Sequence, residues 1–110
     1  MQRIYPIDEE TEVLLTKAVS VVNRVNHLKT SIDVYLTRIN AKDWDLFKCP
    51  EGLVVLGYGK TLDGSWYMNV ELAYGKGESL IDKYYDVFMS IAKKLNCREI
   101  RFHSSRKGFE

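Results

Sequence analysis

The chain has 110 residues, with 16 basic against 15 acidic side chains for a formal charge of +1, and a hydrophobic share of 45% with 12% aromatics. That length makes one domain over residues 1–110, and the apolar and aromatic content is enough for a packed core, which excludes disorder. The even charge balance lacks the basic face of a nucleic-acid binder, and the longest apolar run, Leu53 to Leu56, is far too short to span a bilayer.

The opening stretch MQRIYPIDEE has no apolar core of a signal peptide, so a cytoplasmic chain is expected. Ile4, Tyr5 and Ile7 read as a short apolar start, followed by an acidic turn from Asp8 to Glu12. Leu14, Ala18, Val21, Val22, Val25 and Leu28 then follow helical spacing. Acids at the start of that helix and Arg24, His27 and Lys29 near its end suit the helix dipole. Thr30 or Ser31 is placed to cap a second helix, in which Ile32, Tyr35, Leu36 and Ile39 recur at i, i+3, i+4 and i+7.

From Trp44 the period changes. WDLFKC alternates loosely, CPEG turns the chain, and LVVLGYG is a continuous apolar run that suits a strand buried on both faces. Asp63-Gly64 is a hairpin turn. In WYMNVELA, strict alternation puts Trp66, Met68, Val70 and Leu72 on one face and Tyr67, Asn69 and Glu71 on the other. After a glycine loop, Leu80, Ile81, Tyr84, Tyr85, Phe88, Ile91, Ala92 and Leu95 mark a third helix with Asn96 as its stop. REIRFHS closes as a strand, with Ile100 and Phe102 on one face and Arg101 and His103 on the other. The fold class is therefore α/β with a mixed sheet, in the order β-α-α-β-β-β-α-β. The strand-loop-helix-strand portion predicts a crossover between parallel strands. Cys49 and Cys97 follow no metal-ligand spacing and are expected to be free thiols, with no metal site.

The loop in ELAYGKGES leaves a strand and opens a helix, where unpaired backbone N–H groups and the helix dipole favour an anion. Gly75 and Gly77 let a phosphate approach, or they supply only the φ angles of a tight turn; Lys76 adds a charge. The Gly-Lys-Ser/Thr ending of a P-loop is missing, and Leu80 stands where GxGxxG requires its third glycine.

This order of elements, with Tyr74-Gly75-Lys76-Gly77-Glu78-Ser79 after the central strand and NCREIRF after the last helix, resembles the GNAT superfamily of acyl-CoA-dependent N-acetyltransferases. Their loop pattern is Arg/Gln-x-x-Gly-x-Gly/Ala, and its amides hold the coenzyme A pyrophosphate. Gly77 matches the central glycine, whereas Tyr74 replaces the Arg/Gln, Ser79 the final Gly/Ala, and Glu78 brings a negative charge to a phosphate site. The resemblance implies that Tyr74, Gly75, Lys76, Gly77, Glu78 and Ser79 form the cofactor-binding set for acetyl-CoA, and that Glu71 is the catalytic base, unless it is only a solvent-facing strand residue. The family's acid is a tyrosine on a last helix, for which SRKGFE at the end leaves no room; Tyr84 and Tyr85 read as core and His103 as a surface residue.

Gly-Lys-Gly and SRKGFE also resemble small GNAT-like proteins found among phage structural genes. That likeness implies a chain with an apparently truncated C-terminal part and an open sheet edge, which invites pairing with another chain. The expectation is a catalytically degenerate GNAT-fold protein, a structural or assembly component of a larger complex such as a virion. It would have protein partners or copies of itself, no bound cofactor, and a place in the virion or host cytoplasm. The alternative is an active N-acetyltransferase that takes acetyl-CoA through residues 74–79; a third reading is a module that binds a host factor. No membrane and no specific nucleic acid is implied.

Overall fold

The computed structural model describes residues 1–27, 29–75 and 80–102. Strand β1 (Gln2–Ile4) precedes helix α1 (Glu9–Asn26), whose start is fixed by the Asp8 carboxylate accepting the Thr11 N–H at 2.7 Å. Glu9, Glu10 and Glu12 occupy its first turn and Arg24 its last, and His27 in the left-handed region (φ 56°) ends it. Helix α2 (Ile32–Asn40) starts at Ser31, whose hydroxyl accepts the Asp33 N–H at 3.1 Å. Of the two positions the sequence offered for the second cap, Thr30 and Ser31, the fold uses Ser31.

Strands β2 (Asp45–Cys49) and β3 (Gly52–Lys60) are joined by the two-residue turn Pro50-Glu51. The turn from β3 to β4 (Trp66–Gly75) is held by the Thr61 N–H on the Ser65 carbonyl (2.8 Å), with Gly64 at φ +86°, a value that a side chain would oppose. Helices α3 (Leu80–Lys83) and α4 (Tyr85–Lys94) lead to β5 (Cys97–Phe102). The sheet runs in order β1-β2-β3-β4-β5, antiparallel through β4 and parallel between β4 and β5. The mixed α/β architecture and the parallel crossover pairing are thus as expected.

The sheet is covered on both faces. Leu15, Ala18 and Val19 of α1 with Tyr35 and Ile39 of α2 pack on Leu46, Leu53, Val55 and Leu72. Phe88 and Ala92 of α4, with Leu80 and Ile81, pack on Val54, Leu56, Met68 and Val70. β3 sends alternate side chains into both cores, and Leu53 to Leu56 are wholly buried, which is why its sequence shows no alternation.

Two expectations fail here. Val55 pairs with Leu72 but Leu56 with Val70, so Glu71 is an extra residue, a β-bulge. The bulge turns Leu72 to the α1/α2 face, away from Met68 and Val70, where strict alternation had put all three together. The third helix is also two pieces, broken at Tyr84 (φ −105°, ψ 17°), and its stripe is less buried than its spacing promised: Tyr85 is 47% exposed, as is Leu95. The Tyr84 hydroxyl is tied to the Glu51 carboxylate at 2.7 Å, an anchor outside the helix that periodicity does not register. Val25 of α1 is likewise exposed rather than facing the core.

Candidate functional site

The bulge sets the geometry of the candidate site. An extra residue in a strand re-aims the side chains that follow it, as at Leu72 after Glu71. Pairing of β4 with β5 ends at Val70 opposite Phe102 among the described residues, so β4 from Glu71 to Gly75 has no described partner on that side. The Glu71 carboxylate accepts the Asn69 side-chain N–H at Oε2 (2.8 Å) and is half-buried. Asn69 is nearly buried, and its other polar atom, Oδ1, has no partner among the described residues.

Across the sheet lies Gly57. A Cβ at that position would stand 2.5 Å from Glu71 Oε2 and 2.8 Å from Trp44 Nε1, so the missing side chain leaves the space that carboxylate and indole occupy. Trp44 is held edge-on to Tyr35 of α2, with ring centroids 5.3 Å apart. Burial, and then the nearby Glu71 charge, push the Tyr35 hydroxyl pKa up, so Tyr35 stays a neutral donor. Further along the same face Tyr67 lies over Gly59, and Arg101 stacks on the Tyr67 ring at 3.8 Å while pairing with Glu99. One carboxylate therefore sits on a floor of polar and aromatic groups drawn from α2, the segment before β2, and strands β3, β4 and β5.

Of the predicted site residues, Glu71 is half-buried on the sheet with Asn69 beside it, the two sharing a face as the sequence implied. Tyr74 is half-buried against the α1/α2 core, and Gly75 closes β4 opposite Gly52. Lys76, Gly77, Glu78 and Ser79 lie outside the described residues, as does His103. Tyr35, Trp44 and Gly57 were missed as site members. Tyr35 read as helix core, Trp44 as a strand start and Gly57 as a strand boundary; a glycine inside an apolar strand run is the signal that could have flagged a close approach.

A second polar cluster lies at the base of the loop. Glu51 accepts from Lys83 Nζ and from the Tyr84 hydroxyl (2.7 Å), and these two hydrogen bonds hold its carboxyl down at about 2. The same contact pushes Tyr84 up to about 12. Among the described residues no group of three His, Cys, Asp or Glu is placed to hold a metal. Both thiols are free, Cys49 buried and Cys97 partly so. No described helix is long and apolar enough to cross a membrane.

The sequence matches no protein-family model and no curated protein. Among solved structures, one described as a probable acetyltransferase superposes over 96% of this chain and 80% of its own length, with a TM-score of 0.67 at 12% identity. The chain has the fold of the GNAT acetyltransferases. The ribosomal-protein-alanine N-acetyltransferase from Brucella melitensis biovar Abortus 2308 superposes over 93% of this chain and 80% of its own, with a TM-score of 0.61 at 11% identity. At such identities the likeness is one of fold, and what the GNAT-fold chain does rests on its own residues.

Proposed function

We propose that the chain is an acyl-CoA-dependent N-acyltransferase in which Glu71 is the base. The observation that carries this reading is the bulge at Glu71. It leaves a half-buried carboxylate on the sheet face, one residue beyond the last described pair of β4 with β5. Beyond the last described pair with β5, the backbone from Glu71 to Gly75 would take the amide-bearing arm of coenzyme A, which can add to a strand edge through backbone hydrogen bonds. Acetyl-CoA would supply an activated thioester when bound.

Glu71 accepts the proton released as an amine nitrogen bonds to the acyl carbon, while the bond from that carbon to sulfur breaks and the thiolate leaves with the electron pair. Asn69 holds the carboxylate's Oε2 in place, and both the carboxylate and the Trp44 indole lie over Gly57. Neutral Tyr35 is the hydroxyl nearest in role to a proton donor on this face.

A second reading has one observation in its favour. Tyr74, which stands at the loop's Arg/Gln position, packs on the α1/α2 core, so its side chain is committed to the fold. A degenerate acyltransferase fold, kept as an assembly component of a larger complex such as a virion, is consistent with that.

Titration calorimetry with acetyl-CoA, followed by acyl transfer to a panel of amines, separates the two. The enzyme reading expects saturable binding, and in Glu71→Gln a loss of about 10²–10⁴-fold in turnover with binding retained. No heat at millimolar acetyl-CoA with folded protein overturns it and leaves the assembly reading.

A further inference from the structure

We propose that Asn69 is a specificity-determining residue for the amine substrate: its side-chain carbonyl takes one N–H of a nitrogen that Glu71 holds by another, so that the site selects a primary amine. The inference deepens the reading of Glu71 as the base and rests on it for its catalytic meaning. Asn69 is only 9% exposed, and its Oδ1 has no donor among the described residues. The orientation of the amide is settled by its neighbour. Nδ2 meets Glu71 Oε2 at 2.8 Å, and the reverse placement would set two acceptors against each other, so the atom left over is the carbonyl. Arg101, opposite Asn69 in register on β5, is turned to the Tyr67 ring and to Glu99 and does not supply the donor. A buried acceptor without a donor destabilises the fold that holds it, and a ligand that brings an N–H removes that penalty.

Two acceptors side by side, one of them charged, call for a group with two donor hydrogens and no negative charge. A second anion beside the Glu71 carboxylate would be repelled. A hydroxyl brings one donor hydrogen and a thiol one weak donor, so neither serves both acceptors. A primary ammonium serves both. After it has given one proton to solvent, its nitrogen keeps an N–H for Asn69 and an N–H for Glu71, and its lone pair is left to meet the thioester carbon. A secondary amine in the same neutral form has a single N–H. Glu71 is half-buried rather than sealed, and χ2 of an asparagine is a soft torsion, so Oδ1 turns to a nitrogen seated on the carboxylate.

Binding of small ammonium ions to the whole, isotope-labelled chain tests this, read by NMR at the Asn69 side-chain amide and the Trp44 indole N–H. Neither acetyl-CoA nor turnover is involved, so a failure of acyl transfer and a failure of this inference are separate results. The probes are propylammonium and its N-methyl, N,N-dimethyl and N,N,N-trimethyl forms, which carry three, two, one and no N–H groups. Propylammonium should saturate both signals with a Kd of about 1–10 mM, as a ligand this small allows. Affinity should drop about 10-fold or more between the N-methyl and N,N-dimethyl forms, where the second donor is lost. Asn69→Leu, with the same shape and no carbonyl, should weaken propylammonium about 10-fold or more at the Trp44 signal and remove that step. Asn69→Asp keeps an acceptor and loses the N–H that holds Glu71. It should bind propylammonium within about 3-fold of the parent or tighter, which a residue acting only through Glu71 would not do. Circular dichroism checks that each variant is folded. No saturation at about 100 mM propylammonium, equal affinity across the four probes, a trimethyl form that binds best, as an aromatic cage would have it, or Asn69→Asp as weak as Asn69→Leu each overturns the proposal.

Discussion

Gly57→Ala is the sharpest test of the site geometry. The new Cβ would stand 2.5 Å from Glu71 Oε2, 2.8 Å from Trp44 Nε1 and 3.0 Å from Glu71 Cγ, all closer than real side-chain contacts. Gly57 sits in the middle of β3, paired to Asn69 and buried, so the backbone cannot retreat and the two side chains must. Overpacking of this kind costs about 1–3 kcal/mol. Loss of glycine's freedom in the unfolded chain returns about 0.4–1 kcal/mol. The net is about 0.5–2 kcal/mol, which lowers Tm by about 2–10 °C for a domain of this size. The effect on the site is larger than on the fold, because displacing a reacting group by about 1 Å costs on the order of 10²-fold in rate. Trp44 reports the displacement directly. In a Trp66→Phe background it is the lone tryptophan, so its emission maximum and quenching should change with Gly57→Ala while the protein remains folded. Unchanged Trp44 emission together with an unchanged Tm would refute the close approach of Trp44, Gly57 and Glu71.

The Glu51 cluster gives a pH prediction. Its carboxyl lies at about 2 in the fold, held there by Lys83 and Tyr84, against 4.5 for an unperturbed glutamate. Its stabilising effect is therefore fully present above pH 4.5 and is lost as pH falls towards 2. Glu51→Gln should be less stable than the parent at pH 6, with the gap closing near pH 2 in denaturant unfolding; a gap constant across that window would refute the ion pair's role. Phe88→Ala removes a wholly buried ring from the α4 core and should cost about 3–5 kcal/mol, a large part of the ~5–15 kcal/mol of a typical domain. Thermal melts that show less than about 1 kcal/mol would place Phe88 outside the core.

Local signals determined most of the element order. Ser31 read as a cap because its side chain bonds an N–H group two residues on, an interaction wholly within the local segment. Leu53 to Leu56 read as a strand buried on both faces because continuous apolar residues leave no polar face to expose. The run from Trp66 to Ala73 also read as a strand, and Glu71 as the carboxylate to watch.

What the tertiary structure decided is how these pieces meet. The bulge at Glu71 is a mismatch in count between β4 and β3, and neither strand carries that count alone. It moved Leu72 to the other core. Tyr35, Trp44 and Gly57 converge on Glu71 from α2, the approach to β2, and β3, segments whose hydrophobic spacing speaks only of burial. Tyr84, where the helix breaks, is tied to Glu51, 33 residues earlier. Periodicity records which side of an element leaves water, a property of neighbouring residues; register and convergence are properties of pairs far apart in the chain, and those only the packed sheet fixes.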